Sequence, residues 1–203
     1  MSFPEVLERA AAWAGWRLDQ AQIERLDRYG RWLIEEAIPA GGLGPNEAER
    51  IWSRHIGDSL LFARGWDPPP PPRDVIDLGS GVGLPGIPLA VLWPETDVLL
   101  VDRAGRRVSL ARRATRVLGL DNVEVVQADA GHLAAEADLV VVRAVAEPDE
   151  VRRWGGRLLR PGGRLVVGGS WEERPAAEAG FEVIEVPSEV LDHPVWLRIM
   201  AAA

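Results

Sequence analysis

Cysteine and lysine are both missing from the 203-residue chain, so all 23 basic side chains are arginine. Without cysteine there is no disulfide, no thiol nucleophile and no thiolate metal site. No apolar run is long enough to span a bilayer, and the N-terminus shows no basic region followed by an apolar signal segment. A soluble cytoplasmic protein with no membrane partner is the expectation. The three histidines, His55, His132 and His193, have no ligand spacing, so no metal is expected. Positive charge is also short: a net −8 argues against gripping a polyanion over the whole surface. The shortage is uneven, because residues 101–170 hold 12 arginines against nine acids, which leaves the remainder at −11.

What is present is a chain with 47% hydrophobic residues, enough for one good core and a small helical addition. It is organised around Val75 to Gly86, VIDLGSGVGLPG. An apolar strand ends at Leu78 and runs into Gly79, Gly81 and Gly83, and Pro85 stands where a helix should start. Such glycines let the backbone approach a ligand closely, and the free N–H groups of a helix start offer donors to it. A second strand, Leu99 to Asp102, ends on a carboxylate suited to the two hydroxyls of a ribose. This spacing serves nicotinamide cofactors and S-adenosylmethionine alike. The glycine register, late for a dinucleotide fingerprint, favours S-adenosylmethionine.

Helices are expected first. Ser2 with Glu5 and Asp19 with Gln22 have capping-box spacing, and Ile23, Leu26, Leu33 and Ile34 recur at helical intervals. Ala40 to Pro45 breaks the pattern. Asn46 can cap a third helix with an apolar stripe of Trp52, Ile56 and Leu60, and His55, Asp58 and Ser59 then share one face. Five prolines, Pro68 to Pro72, read as a stiff spacer between a helical extension, residues 1–67, and the domain that follows, residues 68–203. Strands at 75–78, 98–102, 123–127, 139–143 and 164–167 then alternate with helices at 85–93, 104–118 and 148–158. Strands at 181–186 and 195–200 close the chain with no room for a helix between them. This order predicts an α/β, Rossmann-like, mostly parallel sheet ending in an antiparallel hairpin, the class I S-adenosylmethionine-dependent methyltransferase arrangement.

Ligands bind at strand C-terminal ends in such sheets. Gly79, Ser80, Gly81, Gly83 and Leu84 follow the first strand, and Asp102 and Arg103 end the second. Asp129, Ala130 and Gly131 follow the third, where a carboxylate and backbone N–H groups can pair with an adenine. Arg143 ends the fourth, facing either the site mouth or an acid such as Glu147. Arg106, Arg112, Arg113 and Arg116 fall on one helix face, ordinarily a solvated one.

Several segments resemble the glucose-inhibited division protein B family, bacterial methyltransferases that methylate N7 of a guanine in 16S ribosomal RNA. They are Arg54-His-Ile-Gly-Asp-Ser-Leu60, Ile76 to Leu89 with its Gly-Leu-Pro-Gly extension, Asp102 to Val108, Leu118 to Val123, Arg143-Ala-Val-Ala and Pro161-Gly-Gly163. The resemblance implies S-adenosylmethionine as cofactor and 16S rRNA or the small ribosomal subunit as partner. It places Gly79, Leu84, Ala130, Gly131 and Arg143 at the cofactor. His55, Asp58, Ser59, Arg106 and Arg107 would line the RNA side, with Arg143 and His55 positioning the base. Guanine N7 carries a lone pair and no proton, so no general base is required. A monomer is expected. The chain departs from the family at Trp32-Leu33, at Gly41-Gly-Leu43, at Gly131 and at Gly168-Gly169, where a lysine is usual. Alternatives are a methyltransferase for a small molecule, or a cofactor-binding module that binds RNA or the ribosome.

Overall fold

The computed structural model describes residues 3–66, 69–143, 148–169 and 179–202. Ser2 and Glu147 lie outside them, and with them one capping box and one suggested partner of Arg143. Seven strands form one sheet in the order β3-β2-β1-β4-β5-β7-β6: β1 (Asp74–Leu78), β2 (Asp97–Asp102), β3 (Val123–Gln127), β4 (Ala137–Arg143), β5 (Leu159–Gly169), β6 (Glu182–Val186) and β7 (Val195–Ala201). The first five are parallel. β7 runs antiparallel between β5 and β6, so the chain does close on an edge hairpin. The central strands are largely apolar because both faces are covered, with Asp77 inside β1 the buried exception.

The period of two divides them. Val75, Val98, Leu100, Leu139, Val141 and Val166 face one core with α1 (Phe3–Trp13), α2 (Gln20–Trp32), α4 (Gly86–Leu92) and α5 (Gly105–Leu118). Ile76, Leu78, Val140, Val142, Leu165 and Val167 face another with α6 (Pro148–Leu158). Parallel order reverses between β1 and β4, and the crevice at that reversal is where open α/β sheets hold ligands.

The N-terminal helices join the first core rather than standing apart from it. Asp19 and Gln22 form the expected capping box, and Gln22 Nε2 also donates to the carbonyls of Val91 and Leu92 at the end of α4. The proline run is tied in as well: Trp66 Nε1 donates to Pro70 O and Thr96 Oγ1 to Pro72 O.

The third helix differs from the regular one expected. It is a 3₁₀ turn (Ala48–Arg50), wide π-type turns (Ile51–Gly57), α3 (Asp58–Leu61) and a closing 3₁₀ turn (Phe62–Gly65). Asn46 does not cap it. Glu47 stands at the cap position without a capping bond, because its carboxylate reaches forward to His55 Nε2 at 2.9 Å. Trp52, in the wide turns, lies across Gly30 of α2 so closely that a Cβ there would fall 2.0 Å from its ring.

Candidate active site

The turn after β1 is built by its neighbours. Gly79 N and Ser80 N both donate to Val101 O of β2, which bends the chain across the sheet end. Gly81 follows at φ +60° with open space where a Cβ would be, a left-handed position that faces room rather than protein. Its N–H donates to Asp102 Oδ2 at 3.0 Å, and Ala104 N donates to Oδ1 at 2.8 Å. Asp102, 4% exposed at the tip of β2, is therefore fixed with one lone pair on each oxygen still to offer.

Beside it opens a cavity of about 590 Å³, within the range for small-molecule sites, lined by Leu78, Gly79, Asp102, Arg103, Asp129 and Ala130 among others. Asp129 Oδ1 accepts from Gly131 N at 2.8 Å and caps the 3₁₀ turn Ala130–His132. Ser80 Oγ is buried without a partner. A carboxylate at one end of the cavity, a second carboxylate and a turn at the other, and a glycine facing open space suit a nucleoside-bearing ligand. The residues fit S-adenosylmethionine.

Asp77 and the start of α4 lie beneath this turn. Asp77 Oδ2 accepts from Gly86 N at 2.7 Å, while Oδ1 is buried without a partner. Burial, more than any charge nearby, raises its carboxyl to about 7. Gly86 has no alternative here: a Cβ would meet Leu100 at 2.2 Å and the Asp77 carboxylate at 2.8 Å. Leu84 is buried in the first core, and Tyr29 donates its hydroxyl to Val82 O at 3.0 Å. Burial pushes the Tyr29 phenol well above its usual range.

Arg143 lies off the cavity wall. Its guanidinium turns to the N-terminal helices, where Nη2 donates to His55 Nδ1 over a long 3.5 Å. That contact makes Nδ1 an acceptor, so the proton of His55 is on Nε2, toward Glu47. Burial first, and Arg143 second, lower the His55 imidazole, in agreement with a neutral ring. Burial also lowers Arg143, against the attraction of Asp58, Asp77 and Tyr29. Asp58 is 4% exposed and Ser59 fully buried. The Ser59 hydroxyl donates back to His55 O at 2.5 Å, inside the helix.

Of the residues expected on the RNA side, Arg106 and Arg107 are exposed. Arg107 also lines the cavity, with Nη1 at 3.8 Å from Asp102 Oδ2. Arg112 donates to Val125 O and Arg113 pairs with Glu36, so part of that helix face serves the fold. Sequence reasoning missed Asp77, Glu47 and Trp154, the last of which lines the cavity. Asp77 could have been found, as a carboxylate inside an apolar strand is a signal in itself. No group of three or more histidines and acids able to hold a metal occurs among the described residues. No helix there is long and apolar enough to cross a membrane.

A family model described as rRNA small subunit methyltransferase G matches residues 22–189. The chain is 41% identical over 172 residues to the ribosomal RNA small subunit methyltransferase G of Mycobacterium leprae (strain TN), a match that takes in 82% of this chain and 66% of that protein. It thus spans just under two thirds of the length of that relative. The protein of the same name from Chlorobium luteolum (strain DSM 273 / BCRC 81028 / 2530) is 35% identical over 196 residues, 94% of this chain and 82% of the other. In fold, the chain is similar to a ribosomal protein L11 methylase from Lactobacillus delbrueckii subsp. bulgaricus, with a TM-score of 0.58, 18% identity and coverage of 72% and 79%. TrmN from Thermus thermophilus gives 0.56 and 23%, with coverage of 71% and 49%.

Proposed function

Because the chain belongs to the GidB family, that of rRNA small subunit methyltransferase G, we propose that it methylates N7 of a guanine in 16S rRNA, using S-adenosylmethionine. The observation that carries this reading is the placement of Asp102 and the cavity beside it at the strand ends, next to the charged cluster around Arg143. The cofactor supplies an electrophilic methyl group when bound. Asp102 accepts the ribose hydroxyls on its remaining lone pairs, and the Asp129–Gly131 turn meets the adenine edge, with Gly79 and Arg103 on the wall between. No residue has to remove a proton, since guanine N7 has none, and the protein's task is placement.

Arg143 offers donors to the guanine O6 or to a phosphate, which leaves the N7 lone pair free to take the methyl group. His55, neutral and held by Glu47, orients Arg143 without adding a second positive charge. The nearby carboxylates of Asp58 and Glu47 offset the positive charge that develops on the methylated base. Arg106 and Arg107, exposed on α5, meet RNA phosphates, which concentrates attraction on one face of an acidic protein. We also propose a monomer acting in the cytoplasm, with residues 1–67 forming the substrate-side helical extension to a methyltransferase unit at 68–203.

Tritiated methyl transfer from S-adenosylmethionine to small-subunit particles lacking the modification tests the reading. Label should appear on N7 of one guanine, and S-adenosylhomocysteine should raise the melting temperature where NAD does not. Stabilisation by S-adenosylhomocysteine with no label on the particles would reduce the protein to a cofactor-binding module. In RNA-binding assays, Arg106→Ala and Arg107→Ala should each flatten the dependence of log affinity on log salt by about one unit.

A further inference from the structure

The loop between β6 and β7 carries a histidine that the proposed reaction leaves without a role. His193 Nε2 lies 2.7 Å from Asp58 Oδ1 and its Nδ1 lies 3.0 Å from Asp192 Oδ1. An ionised carboxylate only accepts, so a ring that meets one at each nitrogen donates from both and is an imidazolium. The contact to Asp58 joins residues 135 apart in the chain, and it is the Asp58 carboxylate whose field acts on both Arg143 and His55. We infer that His193 is a positioning residue for methyl transfer, its doubly donating ring fixing Asp58 so that Asp58 holds the Arg143–His55 pair at the substrate side. The inference rests on the methyltransferase reading above.

The surroundings support a charged ring. Asp58 faces it from α3 and Asp192 from its own loop, and Ser53 in the wide turns bonds to Asp192. Arg9 of α1 and Glu49 of the 3₁₀ turn line the hollow that Asp192 shares. His55, whose ring meets Arg143, comes three residues before Asp58 in the chain. The bond to Asp58, the largest influence on the ring, raises the His193 pKa above its ordinary value. The bridge is therefore complete below the pKa of a free histidine and is lost as pH rises through the raised value in the folded protein. When the ring loses its proton, the Asp58 charge is no longer offset by it, and its attraction draws the Arg143 guanidinium toward Asp58, away from the substrate. His55 and His193 thus differ in kind: one ring is a neutral relay and the other a charge that titrates.

Three measurements on the full chain test this: methyl transfer to small-subunit particles from about pH 6 to 9, S-adenosylhomocysteine affinity by calorimetry, and the titration of the His193 ring by NMR. His193→Asn should lower kcat about tenfold while cofactor affinity stays within about twofold, since Asp58 lies outside the cofactor cavity. His193→Arg keeps a cation beside Asp58 at every pH, and it should restore most of the rate and flatten the alkaline fall seen in the wild type. By NMR, Asp58→Asn should lower the titration midpoint of His193. Identical alkaline falls in the wild type and His193→Arg would overturn the inference, as would a His193 midpoint unmoved by Asp58→Asn. A wild type that transfers no methyl group while its NMR midpoint responds as expected would instead overturn the methyltransferase reading, with the bridge intact.

Discussion

The two halves of the crevice are made of different materials. On the cofactor side the turn after β1 is held by backbone, with the Gly79 and Ser80 N–H groups on a strand carbonyl and the Asp102 carboxylate clamped by two main-chain donors. On the side proposed for the substrate the shape comes from charged side chains that hold one another, Glu47 to His55 to Arg143 and Asp58 to His193 to Asp192. Backbone donors do not titrate and move only if the fold moves. A side-chain network responds to protonation and to the loss of any one member, because a buried charge left unpaired is costly. The cofactor half should tolerate changes of pH that the substrate half does not, and single substitutions should separate the two.

The largest separation is expected from Arg143→Ala. Removing the guanidinium strips Asp58 and Asp77 of a neighbouring cation and His55 of its donor, and methyl transfer should fall by roughly a thousandfold, the scale of losing an electrostatic anchor in a closed site. S-adenosylhomocysteine affinity, measured by calorimetry, should fall far less. Equal losses in both would erase the distinction between the halves.

Asp77 lies under both halves and sharpens the comparison through pH. An acid whose folded pKa is raised binds more protons folded than unfolded, so the stability Asp77 contributes is greatest below about pH 4 and declines until pH passes about 7. Asp77→Asn keeps an acceptor for Gly86 N–H and has nothing to ionise. Urea titrations should find the variant about 2 to 4 kcal/mol more stable than the wild type at pH 8, with little difference at pH 4. A wild-type stability that is flat across this window would show that Asp77 is already ionised in the fold.

The smallest effect is expected at Asp102. Asp102→Ala removes charge-assisted bonds to the ribose, about 1.5 to 3 kcal/mol of S-adenosylhomocysteine affinity, and frees the Gly81 and Ala104 amides. The His193 titration should not move. If it does, the halves are coupled through the turn after β1.

The same contrast explains what could be read from the residues alone. The C-terminal ends of β1 to β4, the glycine turn, Asp102 and the Asp129 turn lie within short stretches whose period and punctuation report their structure, and they fall where expected, whereas β5 runs Leu159–Gly169 rather than 164–167. The closing hairpin was legible for the same reason, since too few residues separate its strands for a helix. The capping box at Asp19 was local too. The pairings of the substrate half were not, because His55 meets Arg143 across 88 residues and Asp58 meets His193 across 135. Nothing in spacing reports such contacts. The broken third helix was hidden likewise: its irregular turns carry the Glu47–His55 bond and the Trp52 ring lying across Gly30, contacts that helical spacing does not report.

That last contact has a consequence for lineages rather than for molecules. With the Trp52 ring filling the space of a side chain at position 30, no descendant can gain a Cβ at 30 while keeping the indole where it lies unless the ring or the helices shift. The two positions are bound to drift as a couple, and since Trp52 shares its turns with His55, a change at Gly30 in a distant helix is inherited by the substrate side.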